Sequence, residues 1–105
     1  MIKKSRPEPD DFNRPFQELL NTYRFNDIWN RPGLSRRDRS FLCIAMLSAQ
    51  KRSTELRTPI GAALNNGVSK QEFQEIFLQI AVYCGVPAGV EGFRVATDVF
   101  KERGL

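Results

Sequence analysis

Ser69-Lys-Gln-Glu-Phe-Gln-Glu-Ile-Phe-Leu-Gln-Ile-Ala-Val-Tyr-Cys-Gly85 reads as a helix from end to end. Ser69 and Glu72 have the spacing of a capping box, in which the hydroxyl accepts from the backbone N–H three residues on and the carboxylate reaches back. Phe73, Ile76, Phe77, Ile80, Ala81 and Cys84 then recur on one face at helical spacing. Gly85 follows as a residue free to take the backbone conformation that ends a helix. A helix with so marked an apolar face needs covering, and the flanking sequence supplies further helices.

Downstream, Pro87 restarts a last helix that ends near Arg103. Its Val90, Phe93, Val95, Ala96, Val99 and Phe100 cover more than one side, which predicts burial against a second subunit. Upstream lies Glu55-Leu-Arg-Thr-Pro-Ile-Gly-Ala-Ala-Leu-Asn-Asn-Gly67, whose Asn65-Asn66-Gly67 end is suited to left-handed backbone. Pro59 admits two readings. One is a helix over about 53–66, kinked or interrupted where the missing N–H frees a carbonyl, at a cost of about 3 kcal/mol. The other has Thr58 as N-cap and Pro59 as the first residue of a shorter helix, with residues 51–57 a turn. The kinked or interrupted helix is the preferred one.

Further back, Ser35 and Asp38 form a capping-box variant ahead of Phe41, Leu42, Ile44, Ala45, Met46 and Leu47. That run is apolar on nearly every side, which predicts a central helix. Phe16, Leu19, Leu20 and Tyr23 make a stripe for a first helix near 13–24, with Pro15 suited to its first turn. In the link 25–34, Trp29 is expected to pack the loop onto the core, with substrate contact as the alternative. Residues 1–12, with Lys3, Lys4, Arg6, Pro7 and Pro9, read as a basic flexible arm. No segment alternates as a strand, so residues 13–105 are expected to form one compact all-α domain of about five helices.

Composition narrows the chemistry. With 105 residues, 41% of them hydrophobic, the chain suits a single domain. No apolar run approaches the roughly 18–20 residues of a membrane span, and the first residues lack a signal peptide's apolar stretch, so the expected location is the cytoplasm. Cys43 and Cys84 lie in apolar segments without metal-ligand or CxxC spacing and read as reduced core thiols. Histidine does not occur. That excludes imidazole bases, His-ligated metals and Ser-His or Cys-His nucleophile pairs, and no metal site is expected.

Several blocks, taken in order, resemble the gamma-carboxymuconolactone decarboxylase family. They are Trp29-Asn-Arg-Pro-Gly-Leu-Ser-Arg-Arg-Asp-Arg-Ser40, Ile44-Ala-Met-Leu, Glu55-Leu-Arg, Ala62-Ala-Leu-Asn-Asn-Gly-Val68 and Phe77-Leu-Gln-Ile-Ala-Val-Tyr-Cys-Gly-Val-Pro-Ala88. The resemblance covers roughly residues 16–103. It implies an AhpD-like helical fold that assembles as a homo-oligomer, commonly a hexamer. It also implies a carboxy-lyase that removes carbon dioxide from a small anionic lactone during aromatic-compound breakdown, without a cofactor. Redox-active members carry a CxxC motif where this chain has Arg52 and Glu55, so thiol peroxidase chemistry is not expected.

The reaction asks little of a protein, because electrons leaving with the lost carboxylate flow into a conjugated lactone carbonyl. Anion binding, stabilisation of a dienolate oxygen and return of one proton suffice. Glu55 is the expected proton donor, aided by a raised pKa if its pocket is apolar; pairing with Arg52 or Lys51 at the surface is the bland alternative. Arg36, Arg37 and Arg39 crowd a helix start where cations oppose the dipole. Asp38 and solvent can offset this, or an anionic substrate beside Arg39 can. Tyr83 is a candidate substrate-binding residue that could donate a hydrogen bond to the lactone oxygen, with a core role as the preferred reading. Decarboxylases of this family carry a histidine where this chain has Pro59, so the resemblance extends to the family more readily than to its particular reaction.

Two other classes compete. A catalytically inactive oligomeric scaffold or partner subunit would share the fold. Ala63-x-x-x-Gly67-Val68-Ser69 also resembles the turn of a helix-turn-helix, and the net charge of +4 suits nucleic acid. Against that, the would-be recognition helix carries Glu72 and Glu75 near its start and offers only Lys70, Gln71 and Gln74 to read bases. Neither nucleic acid nor membrane is an expected partner.

Overall fold

The computed structural model describes residues 10–105, so most of the expected basic arm, residues 1–9, lies outside the described residues. Helix α1 spans Arg14–Leu20 and runs on as wider π turns over Asn21–Trp29; α2 is Arg36–Ala49. A 3-10 turn, Ser53–Glu55, leads to α3, Arg57–Asn65, then α4, Lys70–Cys84, and α5, Val86–Glu102. No strand occurs among the described residues, as the periodicity predicts.

Local signals place the helix ends closely. Both halves of the α4 capping box form, with Glu72 N–H donating to Ser69 Oγ at 3.1 Å and Ser69 N–H donating to Glu72 Oε1 at 3.0 Å. Ser35 Oγ accepts from Asp38 N–H at 3.0 Å at the start of α2. Gly85, at φ 99°, ends α4 and at once begins α5, with Pro87 in the first turn, where a backbone N–H is not needed. The resulting α4–α5 hairpin is antiparallel: Phe77 faces Gly92, Ala81 faces Gly89, and the Phe73 and Phe100 rings meet edge to face at 5.6 Å. Its helices approach so closely that a methyl at Gly89 would lie 2.8 Å from Ala81 Cβ, and one at Gly92 would overlap the Phe77 ring. Ile44 of α2 and Ile60 and Ala63 of α3 complete a core with Phe73, Phe77 and Val99.

Pro59 causes neither a kink nor a lost bond. The 3-10 turn interrupts the chain before α3, and the first α-type bond of that helix runs from Ile60 N–H to Leu56 C=O at 3.0 Å. Pro59 thus occupies the first turn, where the absent N–H breaks no ladder bond. Leu56, rather than Thr58, occupies the cap position. At the other end of α3 only Gly67 is left-handed, at φ 89°; Asn66 stays at φ −93°.

A left-handed residue that the sequence gives no hint of ends α2. Lys51 has φ 60° and lets Arg52 N–H reach back to Leu47 C=O at 2.9 Å. A side chain there is strained and glycine is not. Lys51→Gly is expected to stabilise the fold by about 1 kcal/mol, read from the urea midpoint. A lower midpoint would show that the Lys51 side chain contributes more than the strain costs.

Two faces differ from expectation. The buried column of α2 is Ser40, Ile44 and Ser48, while Leu42 and Met46 are half exposed on the outer side. Among the described residues segment 14–29 makes most of its contacts within itself, leaving Phe16 and Leu19 nearly 60% exposed and Tyr23 64% exposed. Periodicity shows that a helix has a face to bury and leaves open what buries it. The helical run also continues to Trp29, which is half-buried, so the link to α2 is shorter than the expected 25–34. The outer sides of α4 and α5 likewise leave Val82, Val86 and Val90 exposed.

Candidate active site

Glu55 sits at the end of the 3-10 turn, just after α2 and just before α3, and is half-buried. Its ionic partner among the described residues is Arg52, with Nη1 3.4 Å from Oε1. This is the surface pairing foreseen as the alternative to an apolar pocket. The turn packs against α5, and Ser53 adds a small effect that lowers the Glu91 carboxyl. Glu91 is held below the ordinary carboxylate range first by Arg94, whose Nη2 lies 2.6 Å from Oε2. Arg94 also approaches Asp98 at 3.8 Å. The Arg52–Glu55 pair at the turn and the Glu91–Arg94 pair on α5 are thus carried by elements that pack against each other. Of these, sequence reasoning singled out Glu55 alone as a site residue. The i, i+3 spacing of Glu91 and Arg94 was the readable signal for the second pair.

The other two expected site residues lie elsewhere. Tyr83 stands in the last turn of α4 and is 80% exposed, so it is not a core tyrosine. Among the described residues no hydrogen bond or ion pair links it to Glu55, whose ionic partner is Arg52. Arg39 is at the opposite end of α2, a helix about 20 Å long. Its Nε and Nη2 donate to the carbonyls of Leu34 and Arg31, each at 3.3 Å, so it braces the loop leading into α2. Arg36 donates to the Asn30 side chain.

Arg37 has a partner that local sequence does not reveal. Its guanidinium forms a two-pronged ion pair with Glu72, the capping residue of α4, and lies 5.2 Å from the Phe41 ring centroid. One carboxylate thus caps α4 and offsets the cations crowding α2. Arg37 and, next, the Ser69 backbone N–H hold the Glu72 carboxyl down at about 2 from an ordinary 4.5. Because the folded pKa is the lower one, this stabilisation is complete above about pH 4.5 and is lost as the pH falls towards 2. The stability gap between wild type and Glu72→Gln should therefore shrink across that window. Urea midpoints at pH 5, 3 and 2 test this; a constant gap would remove Glu72 as the acid-sensitive group.

Arg57, the last residue of the Glu55-Leu-Arg block, serves the fold by pairing with Glu102 at the end of α5. Burial pushes the Cys43 thiol up, and both cysteines are free. Among the described residues no three cysteines, aspartates or glutamates gather as a metal ligand set. No described helix is long and apolar enough to cross a membrane.

The fold and this surface define an all-α domain whose candidate chemistry rests on a carboxylate among arginines. Comparison with known proteins agrees on the class: the model of the carboxymuconolactone decarboxylase family matches residues 14–98. A 4-carboxymuconolactone decarboxylase of Acinetobacter baylyi is 38% identical over 104 residues, covering 99% of this chain and 78% of that protein. A nitrosuccinic acid decarboxylase of Metarhizium robertsii is 42% identical over 91 residues, covering 87% of this chain and 64% of that protein. The chain belongs to the carboxymuconolactone decarboxylase family.

Proposed function

We propose that this protein is a cofactor-free carboxy-lyase acting on a small carboxylated lactone, or on another polycarboxylate whose departing carboxylate adjoins an oxygen-terminated electron sink. The wider class is drawn from the two relatives, one named for a lactone and one for a nitro acid. A lactone carbonyl and a nitro group share one property: each accepts the electron pair that a departing carboxylate leaves behind. The observation that carries the reading is the Glu55 carboxyl, held on the 3-10 turn beside Arg52, in a chain similar along 99% of its length to a decarboxylase.

In the proposed reaction the carbon–carboxylate bond breaks, carbon dioxide leaves, and its electron pair moves into the sink as an oxyanion. Arg52 and Arg94 bind the substrate's carboxylates in exchange for their present acidic partners. Tyr83 donates to the oxyanion. The acid form of Glu55 then returns one proton to carbon and regains it from water. Arg39 reaches a Glu55 only from a neighbouring subunit, so its substrate-binding role requires a homo-oligomer, for which the family resemblance suggests a hexamer. Such an assembly also supplies walls for a surface that the single chain leaves open. Aromatic-compound breakdown in the cytoplasm is the setting we assign.

Carbon dioxide release from 4-carboxymuconolactone and from nitrosuccinate, each against buffer, tests the reading. Turnover of either supports it; turnover of neither removes the decarboxylase assignment. The Arg52–Glu55 surface pair and the absence of histidine favour one second reading, a non-catalytic oligomeric subunit of the same fold.

A further inference from the structure

Two uncovered apolar surfaces in this chain are complementary. Segment 14–29 is an amphipathic helical run, α over Arg14–Leu20 and π over Asn21–Trp29, little longer than the roughly 12–15 residues at which an isolated helix is marginal in water, and helices of this length owe most of their stability to packing of the apolar face. It therefore needs a surface to pack on. Its outward side carries Phe16, Leu19 and Tyr23, preceded by Phe12 at 95% exposure and by Asp10 and Asp11. The second surface is a groove between α4 and α5, with Phe93 and Phe100 in its walls over the buried Phe77, Thr97 on its flank, and Lys70 and Lys101 among its lining residues. Neither lysine has a carboxylate partner among the described residues, and Lys70 Nζ lies 5.2 Å from the Phe100 ring centroid.

We infer that segment 10–29 of one copy docks in the α4–α5 groove of a second copy, and that the exchange is reciprocal. Apolar character and charge agree, since an apolar stripe led by Asp10 and by Asp11, which gives up its Arg14 partner on docking, meets a groove bearing two lysines. Among the described residues the segment's own chain leaves this stripe exposed. Arg36 and Arg39 hold the connecting loop at Asn30, Arg31 and Leu34, and in that arrangement the stripe stays in solvent. The surface named here is independent of the proposed reaction, because self-association is measured without substrate.

The test is complementation between two variants of the full chain. Phe16→Glu spoils the segment and Thr97→Arg obstructs the groove; both positions are exposed, so neither change disturbs the core. Each variant alone should self-associate about tenfold or more weakly than wild type in sedimentation equilibrium. Mixed in equal amounts they should recover a one-to-one heterodimer, because one intact segment then meets one intact groove. Leu19→Glu serves as a second segment variant, and circular dichroism checks that each variant is folded. Wild type remaining monomeric across the micromolar range would overturn the inference. So would folded segment variants that associate like wild type, or a mixture that shows no recovery.

Discussion

Phe77→Ala is expected to lower the unfolding free energy by about 3–5 kcal/mol. Phe77 is fully buried and stands near the centre of the α4–α5 hairpin. Its ring stacks on Phe73 with centroids 6.3 Å apart, meets Phe93 at 5.5 Å, and fills the notch left by Gly92. The close approach at Gly89 and Gly92 holds the two helices together, so the vacated volume cannot readily collapse. Against a typical stability of about 5–15 kcal/mol, the loss would remove a large share and lower the melting temperature by more than about 10 °C. Urea and thermal unfolding followed by circular dichroism measure it. A loss under about 1 kcal/mol would mean that the hairpin repacks around the missing ring.

Glu55→Gln is expected to lower kcat for carbon dioxide release by about a hundredfold or more while leaving KM within a few-fold. Glutamine keeps the size and hydrogen-bonding reach of the side chain but has no acidic proton to deliver. Glu55 is half-buried and, among the described residues, paired with Arg52 at the surface, so the substitution should change stability by no more than about 0.5 kcal/mol. A fall in activity could then not be assigned to unfolding. A parallel fall in kcat/KM would place the interaction in the transition state. An unchanged rate in an active preparation would deny the carboxyl any part in the chemistry.

The helix ends were the most legible part of this chain, because the residues that make them lie within four positions of one another. Ser69 with Glu72, Ser35 with Asp38, and Gly85 each act on backbone groups close by, and each behaves as its spacing predicts. Pro59 was harder. Its cost depends on whether the turn before it is α or 3-10, and the packing of residues 53–55 against α5 bears on that choice. Lys51 gave no sign, since a lysine carries no preference for the left-handed conformation that it adopts. Glu72 was identified as a cap but not as the counter-ion of Arg37, 35 residues earlier, because that second role exists only once α2 and α4 lie side by side.

The candidate site divides in the same way. Glu55 was named from its motif, and its surface pairing with Arg52 was visible as a three-residue spacing. That Ser53 acts on the Glu91 carboxyl, and that Arg39 is about a helix length away from Glu55, depends on distances across the bundle.

Helix number, the capped starts of α2 and α4, the Gly85 junction and the family followed from the amino-acid order alone, because capping, periodicity and motif spacing are relations between near neighbours on one chain. The covered face of α4 was legible too, but which faces of α2 and of segment 14–29 are covered was settled only by the packed molecule. Ser40 and Ser48 turn inward while Leu42 and Met46 turn out, and the stripe of segment 14–29 faces solvent. An amphipathic pattern specifies that apolar surface is to leave water; the geometry of the surrounding helices decides which surface finds a partner within the chain and which is left for another copy.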